Sequence, residues 1–113
     1  STNNLSNISQ YYSEISYFSF IIEEIIEENS RLHKNKVLPN SPFDVLNGKI
    51  SISIEVYLER ITRLLKFNSS ELIYTLILLD RFISTSNIVI TRNNIYKLIL
   101  ITSYDIYIDS RFK

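Results

Sequence analysis

The sequence predicts an all-α bundle, and three observations carry that prediction. Apolar residues recur at three- and four-residue intervals in four separate stretches, the spacing that lines one face of a helix. Residues suited to helix N-termini precede two of them, as Asn68-Ser69-Ser70-Glu71 and as Thr91. Chain-breaking residues are scarce: two Pro and one Gly in 113 residues, all between positions 39 and 48, which argues against a tight-turn β architecture.

Residues 1–7 are polar and are expected to fray. From there Ile8, Tyr12, Ile15, Phe18, Ile22, Ile25 and Leu32 keep helical spacing, while Glu23, Glu24, Glu27 and Glu28 form a solvated acidic face. Asn29-Ser30 and the basic His33-Lys34-Asn35-Lys36 mark the end of this helix, so residues 1–33 read as an N-terminal helical unit. Residues 34–50 hold both prolines and the glycine and read as a linker, with Pro42-Phe43 an extended segment pinned by one aromatic ring.

Residues 49–58 support two readings. Ile50, Ile52, Ile54, Val56 and Leu58 alternate as in a half-buried strand. Ile54, Leu58, Ile61 and Leu65 continue at helical spacing as far as Lys66, and a strand of that length would be unusual, which favours helix. After the Asn68–Glu71 cap, Leu72, Leu76, Leu79 and Ile83 predict a further helix ending near Ser84-Thr85-Ser86-Asn87. A short apolar connector follows, Ile88-Val89-Ile90, and Thr91 is expected to cap the last helix. That helix is apolar nearly all round, a pattern that belongs at the centre of a bundle.

Composition narrows the function. Lys and Arg number 12 and Asp and Glu 12, so the formal net charge is zero and the usual footprint of a nucleic-acid binder or membrane-surface protein is missing. No apolar run is long enough to span a membrane. The absence of Cys removes disulfides, thiolate metal sites and cysteine nucleophiles, and permits an intracellular setting, nuclear or cytoplasmic. His33 is the single imidazole and sits in the hinge, where it reads as a solvated helix-end residue rather than a catalyst or ligand. The four glutamates lack the Glu-x-x-His pattern of carboxylate metal bundles, and Asp105 with Asp109 is a like-charge i,i+4 pair without a catalytic constellation. One glycine cannot build a phosphate-cradling loop. The reading is therefore not an enzyme, with no catalytic residue, metal or cofactor. Asp80, which follows Leu76-Ile77-Leu78-Leu79, is expected to be partly buried and to need an Arg partner.

Three strings together carry a resemblance: Ser51-Ile52-Ser53-Ile54-Glu55-Val56-Tyr57-Leu58-Glu59-Arg60-Ile61, Leu79-Asp80-Arg81-Phe82-Ile83, and Asn94-Ile95-Tyr96-Lys97-Leu98. In order and spacing they resemble a cyclin box of the P-type, phosphate-signalling subfamily, over about residues 8–113. The resemblance implies a cyclin-like bundle that is incomplete, with the N-terminal helix and about three box helices, the box occupying residues 51–113; it also turns the 49–58 ambiguity toward helix. It implies a regulatory subunit that binds and activates a cyclin-dependent protein kinase, an intracellular partner whose catalytic glutamate and activation segment it would position.

The family's kinase-contacting element at the end of the third box helix falls on Ile108-Asp109-Ser110-Arg111-Phe112. Ile108 and Phe112 would then supply apolar contact, and Arg111 would stand for the family lysine that bonds kinase carbonyls, with altered donor geometry. Asp109 replaces a small packed residue. The arginine that opens the family's first box helix is Ser51 here, so Asp80 is expected to pair with Arg60 or Arg63 instead. The family's substrate-docking patch would map to Ile50, Ile54 and Tyr57, for which core packing is the better reading. Two alternatives stand beside the kinase regulator: a non-activating helical interaction or scaffold module, and a cyclin-fold transcription factor of the IIB type, which the neutral charge disfavours. In the resembled fold two further helices help to cover the third, so this chain is also expected to leave apolar surface on it and to form a homo-oligomer.

Overall fold

The computed structural model describes residues 2–36, 38, 41–44 and 52–112, with side chains from residue 13 onward, and those residues form four α-helices: α1 (Thr2–Leu32), α2 (Ile54–Leu64), α3 (Ser69–Ser86) and α4 (Ile95–Arg111). No strand occurs among the described residues. The fold is all-α. No helix among them is long and apolar enough to cross a membrane.

The 31-residue α1 begins before Ile8 and includes residues 2–7, where fraying was expected. Leu5 lies three residues before Ile8, so the apolar spacing already extends into that polar stretch. Farther along, Ile15, Ile22 and Ile26 are buried and form the inner face. α1 packs on α2, α2 on α4, and α4 on α3. Polar ties hold α1 in place: Ser16 Oγ donates to Glu55 at 2.6 Å, Asn29 Nδ2 donates to the Ile90 carbonyl at 3.1 Å, and Arg92 grips Glu23 through both guanidinium nitrogens. Glu23 thus leaves the solvated acidic face expected for it and anchors the α3–α4 connector.

Most of the 34–50 linker lies outside the described residues. Residues 41–44 form a turn, in which the Ser41 amide donates to Asp44 Oδ2 and the Phe43 amide to Ser41 Oγ. This corrects the extended segment expected at Pro42-Phe43, although the aromatic pin is present. Phe43 meets Phe82 edge-to-face at 5.6 Å.

Within 49–58 the described part is helical from Ile54, because Ser53 ends the extended chain there and its hydroxyl accepts the Val56 amide at 3.1 Å. Ile54, Leu58 and Ile61 are buried on the inner face of α2. With no glycine at hand, Lys66 takes the left-handed conformation (φ 56°) that closes the helix, and the Phe67 amide reaches back to the Thr62 carbonyl. Asn87 does the same after α3 (φ 54°). Asn is one of the few residues that accept this conformation at low cost.

Thr91 caps a turn ahead of α4 rather than the helix itself. Its hydroxyl accepts the Asn93 and Asn94 amides, while Asn94 Oδ1 accepts the Thr91 amide at 2.9 Å and Asn94 Nδ2 donates to the Val89 carbonyl. The helix starts one turn later, at Ile95. Tyr57 and Tyr96 then clasp α2 to α4. Tyr57 OH donates to the Tyr96 carbonyl at 3.1 Å, Tyr96 OH donates to the Ile52 carbonyl at 2.7 Å, and the rings meet at 5.0 Å. Burial pushes both phenol pKa values up, and the neighbouring tyrosine adds to the shift at Tyr57.

Ile95, Leu98, Ile99, Thr102 and Ser103 bury one side of α4. Its other side is open, so α4 joins α2 and α3 without being enclosed as its all-round apolar sequence predicts.

Candidate functional site

The last turn of α4 meets the corner between α2 and α3, and the two are joined through Glu71. This residue is the third of α3, and its backbone amide and one carboxylate oxygen complete a capping box with Asn68, at 2.8 and 3.1 Å. The other oxygen, Oε2, faces α4. It accepts the Ser110 hydroxyl at 2.7 Å and Arg111 Nη1 at 2.9 Å.

Arg111 spends its second nitrogen on the chain just after α2, donating to the carbonyls of Leu65 at 3.1 Å and Lys66 at 3.2 Å. Those carbonyls follow the last helical turn, where no intrahelical amide remains to satisfy them. The guanidinium also lies 5.5 Å from the Tyr107 ring centre. One side chain therefore ties the ends of three helices together.

Electrostatics at this junction favour an ionised Glu71. Burial raises its pKa, but the Ser110 hydroxyl, the Asn68 amide and the Arg111 guanidinium bond the carboxylate, and the Arg111 charge reinforces them. The balance leaves the group below its usual value.

The sequence-predicted contact residues divide at this point. Ile108 and Phe112 point outward, at 36% and 73% exposure. Arg111 is exposed as well, but its donors are occupied by this chain's own carboxylate and carbonyls. Nothing in the sequence links Glu71 to Arg111 across 40 positions; the place of Glu71 at a helix N-terminus was legible, its bond to Arg111 was not.

The expected Asp80–Arg60 pair is not formed. Both residues are exposed, and neither takes part in the four ion pairs found among the described residues. The inner face of α3 is set by Leu72, Thr75 and Leu79, so Asp80 turns to the outer side with Ile73 and Ile77. Arg63, the other candidate partner, bonds Glu59 one turn back on α2. Of the mapped docking patch, Ile50 lies outside the described residues, Ile54 is fully buried and Tyr57 is half-buried in the clasp, so the described part serves packing. His33 bonds the Asn29 carbonyl at the end of α1. Among the described residues no three His, Asp or Glu side chains converge on a metal position.

The bonds of Glu71 and Arg111 hold the end of α4 against the α2–α3 corner. There the exposed apolar side chains Tyr104, Ile108 and Phe112 stand beside the exposed Asp105 and Asp109. Comparison with models of known protein families, with curated proteins and with solved structures returns no match.

Proposed function

We propose that this chain is a cyclin-type regulatory subunit that binds and activates a cyclin-dependent protein kinase. The observation that carries the reading is the pairing of exposed Ile108 and Phe112 with a braced helix end, at the positions where the P-type cyclin resemblance puts the kinase contact. A pre-ordered apolar surface loses little side-chain and backbone freedom on docking, which favours affinity. The ordered Ser53 cap, the α2–α3 corner and the α3–α4 connector follow the order of the three strings that resemble a cyclin box. Arg111 serves here chiefly as a positioning residue; to bond kinase carbonyls it must exchange those of Leu65 and Lys66 for them.

That exchange favours a second reading in one respect. A guanidinium already saturated by its own chain suits a helical interaction module that binds a partner without activating a kinase. Titration of the chain against a panel of purified cyclin-dependent kinases, with binding and phosphotransfer read separately, distinguishes the two. The regulator reading requires a kinase that binds, gains activity and loses affinity roughly tenfold or more on Ile108→Ser or Phe112→Ser. Binding without activation supports the module; no binding to any kinase refutes the regulator.

A further inference from the structure

One of the two prolines follows a serine, and Ser41-Pro42 is the chain's single Ser-Pro or Thr-Pro dipeptide. Residues 41–44 form a turn closed by the Asp44 amide, which donates to the Ser41 carbonyl at 3.0 Å. Serine at the first position and proline at the second suit such a turn, because proline fixes φ there and leaves no amide to satisfy. Side chains reinforce it from both ends. The Phe43 amide donates to Ser41 Oγ at 3.1 Å, and the Ser41 amide to Asp44 Oδ2 at 3.0 Å. All three bonds begin or end on Ser41. They stay within four residues, so the turn can open without unwinding a helix. Ser41 is half-buried and Pro42 exposed, and the edge-to-face contact of Phe43 with Phe82 ties the turn to α3.

We propose that Ser41 is the phosphorylation site of a proline-directed protein kinase, and that phosphate there opens the turn and withdraws Phe43 from Phe82. Proline after the acceptor offers no backbone amide, so it suits an enzyme whose pocket for that residue is apolar and asks for no donor. In the transfer, Ser41 Oγ forms a bond to the γ-phosphorus of a nucleoside triphosphate. The bond from that phosphorus to the bridging oxygen breaks, the nucleoside diphosphate leaves, and the hydroxyl proton passes to the kinase's carboxylate base.

The sign of the effect follows from the surroundings of the hydroxyl. A phosphoserine carries about −1.5 to −2 charges at pH 7. The Asp44 carboxylate already bonds the amide of the same residue and would face that charge. Ser41 and Asp44 border a recess walled by Asn87, Val89, Asn93 and Asn94 of the α3–α4 connector, and no Lys or Arg is among its described lining residues. Arg92 of that connector is held by Glu23. Phosphate at Ser41 thus meets a carboxylate with no cation to offset it, an arrangement that disrupts a segment rather than ordering it. Opening releases the amides of Ser41, Phe43 and Asp44 and uncovers the Phe82 ring near the end of α3.

The inference stands apart from the kinase-regulator reading, since it makes the chain a substrate whatever its α4 binds. Incubation of the full chain with a purified proline-directed kinase and magnesium ATP tests it, read by intact and fragment mass, with a Ser-Pro peptide as the control for kinase activity. One phosphate should be added, on Ser41. Ser41→Ala should take none, and Pro42→Ala should slow the transfer roughly tenfold or more, both variants keeping the native helicity. In the phosphorylated chain, amide hydrogen exchange at Phe43 and Asp44 should quicken roughly tenfold or more, with α2 and α4 unchanged. No phosphate on Ser41 under conditions that phosphorylate the peptide, or a rate indifferent to Pro42→Ala, overturns the site. Exchange at Phe43 and Asp44 that is unchanged or slower overturns the opening.

Discussion

Replacing Arg111 by Ala removes one ion pair and two carbonyl bonds at the meeting point of α2, α3 and α4. The magnitude lies between two limits. Hydrogen bonds to charged groups contribute about 1.5–3 kcal/mol each, whereas fully exposed pairs contribute about 0.2–1 kcal/mol. The Glu71 side chain is 11% exposed and the Arg111 side chain 35%, so solvent screens the arginine side appreciably. Discounting for that screening, the substitution should cost about 2 kcal/mol, which lowers Tm by about 8 °C for a chain of this size. Urea unfolding followed by far-UV circular dichroism, at concentrations low enough to suppress association, measures it. A double-mutant cycle with Glu71→Gln sharpens the test, because glutamine still serves the Asn68 capping box while losing the charge seen by Arg111. The coupling between the two should be about 1–2 kcal/mol. A cost for Arg111→Ala below about 0.5 kcal/mol would mean that the junction does not form in solution.

The Glu71 carboxyl has a folded pKa below its usual value, so its contribution to stability is complete above the unfolded pKa and is lost as pH falls through the folded one. Stability of the native chain should therefore decline as pH drops below about 4.3, and the Glu71→Gln chain should decline less, measured as urea midpoints at a series of acidic pH values. Asp80→Ala should change stability by less than about 0.5 kcal/mol, as for an unremarkable surface position; a loss of several kcal/mol in the same unfolding assay would restore the buried-carboxylate expectation. Tyr96→Phe deletes the bond to the Ile52 carbonyl without changing the ring contact with Tyr57, and should cost about 1–1.5 kcal/mol by thermal unfolding.

Where apolar residues were spaced apart by polar ones, the sequence revealed which side of a helix is buried. Ile54, Leu58 and Ile61 in α2 are the clearest case, and the strand-like alternation before them stops where Ser53 caps the helix. In α3 the run Leu76-Ile77-Leu78-Leu79 is apolar on every side and carries no phase, so it pointed Asp80 inward when the true inner face is fixed by Leu72, buried Thr75 and Leu79. Thr75 looks polar in the sequence but satisfies its hydroxyl on the Glu71 carbonyl within its own helix, which removes the penalty of burying it. The resemblance implied that Arg111 bonds carbonyls of a kinase, and nothing in the sequence indicated bonds within the chain. The bonds of Arg111 to the carbonyls of Leu65 and Lys66 depend on a long-range approach that no local pattern encodes.

Under the proposed function, stability and recognition would rest on different side chains of the same helix turn. Arg111 and Ser110 bond Glu71, while Ile108 and Phe112, three and one residues from Arg111, are exposed apolar side chains. Substitutions of the bonding residues should lower the unfolding midpoint and weaken docking together, because they release the turn that presents the apolar residues. Substitutions of the apolar pair should leave the midpoint of the monomer unchanged or raise it slightly, since they remove apolar surface already in water, and should affect docking alone. A pair of variants thus separates the two functions of the turn. If Ile108→Ser lowered the midpoint as much as Arg111→Ala, the outer face of α4 would be part of the folding core, and a kinase could not use it without first opening the helix end.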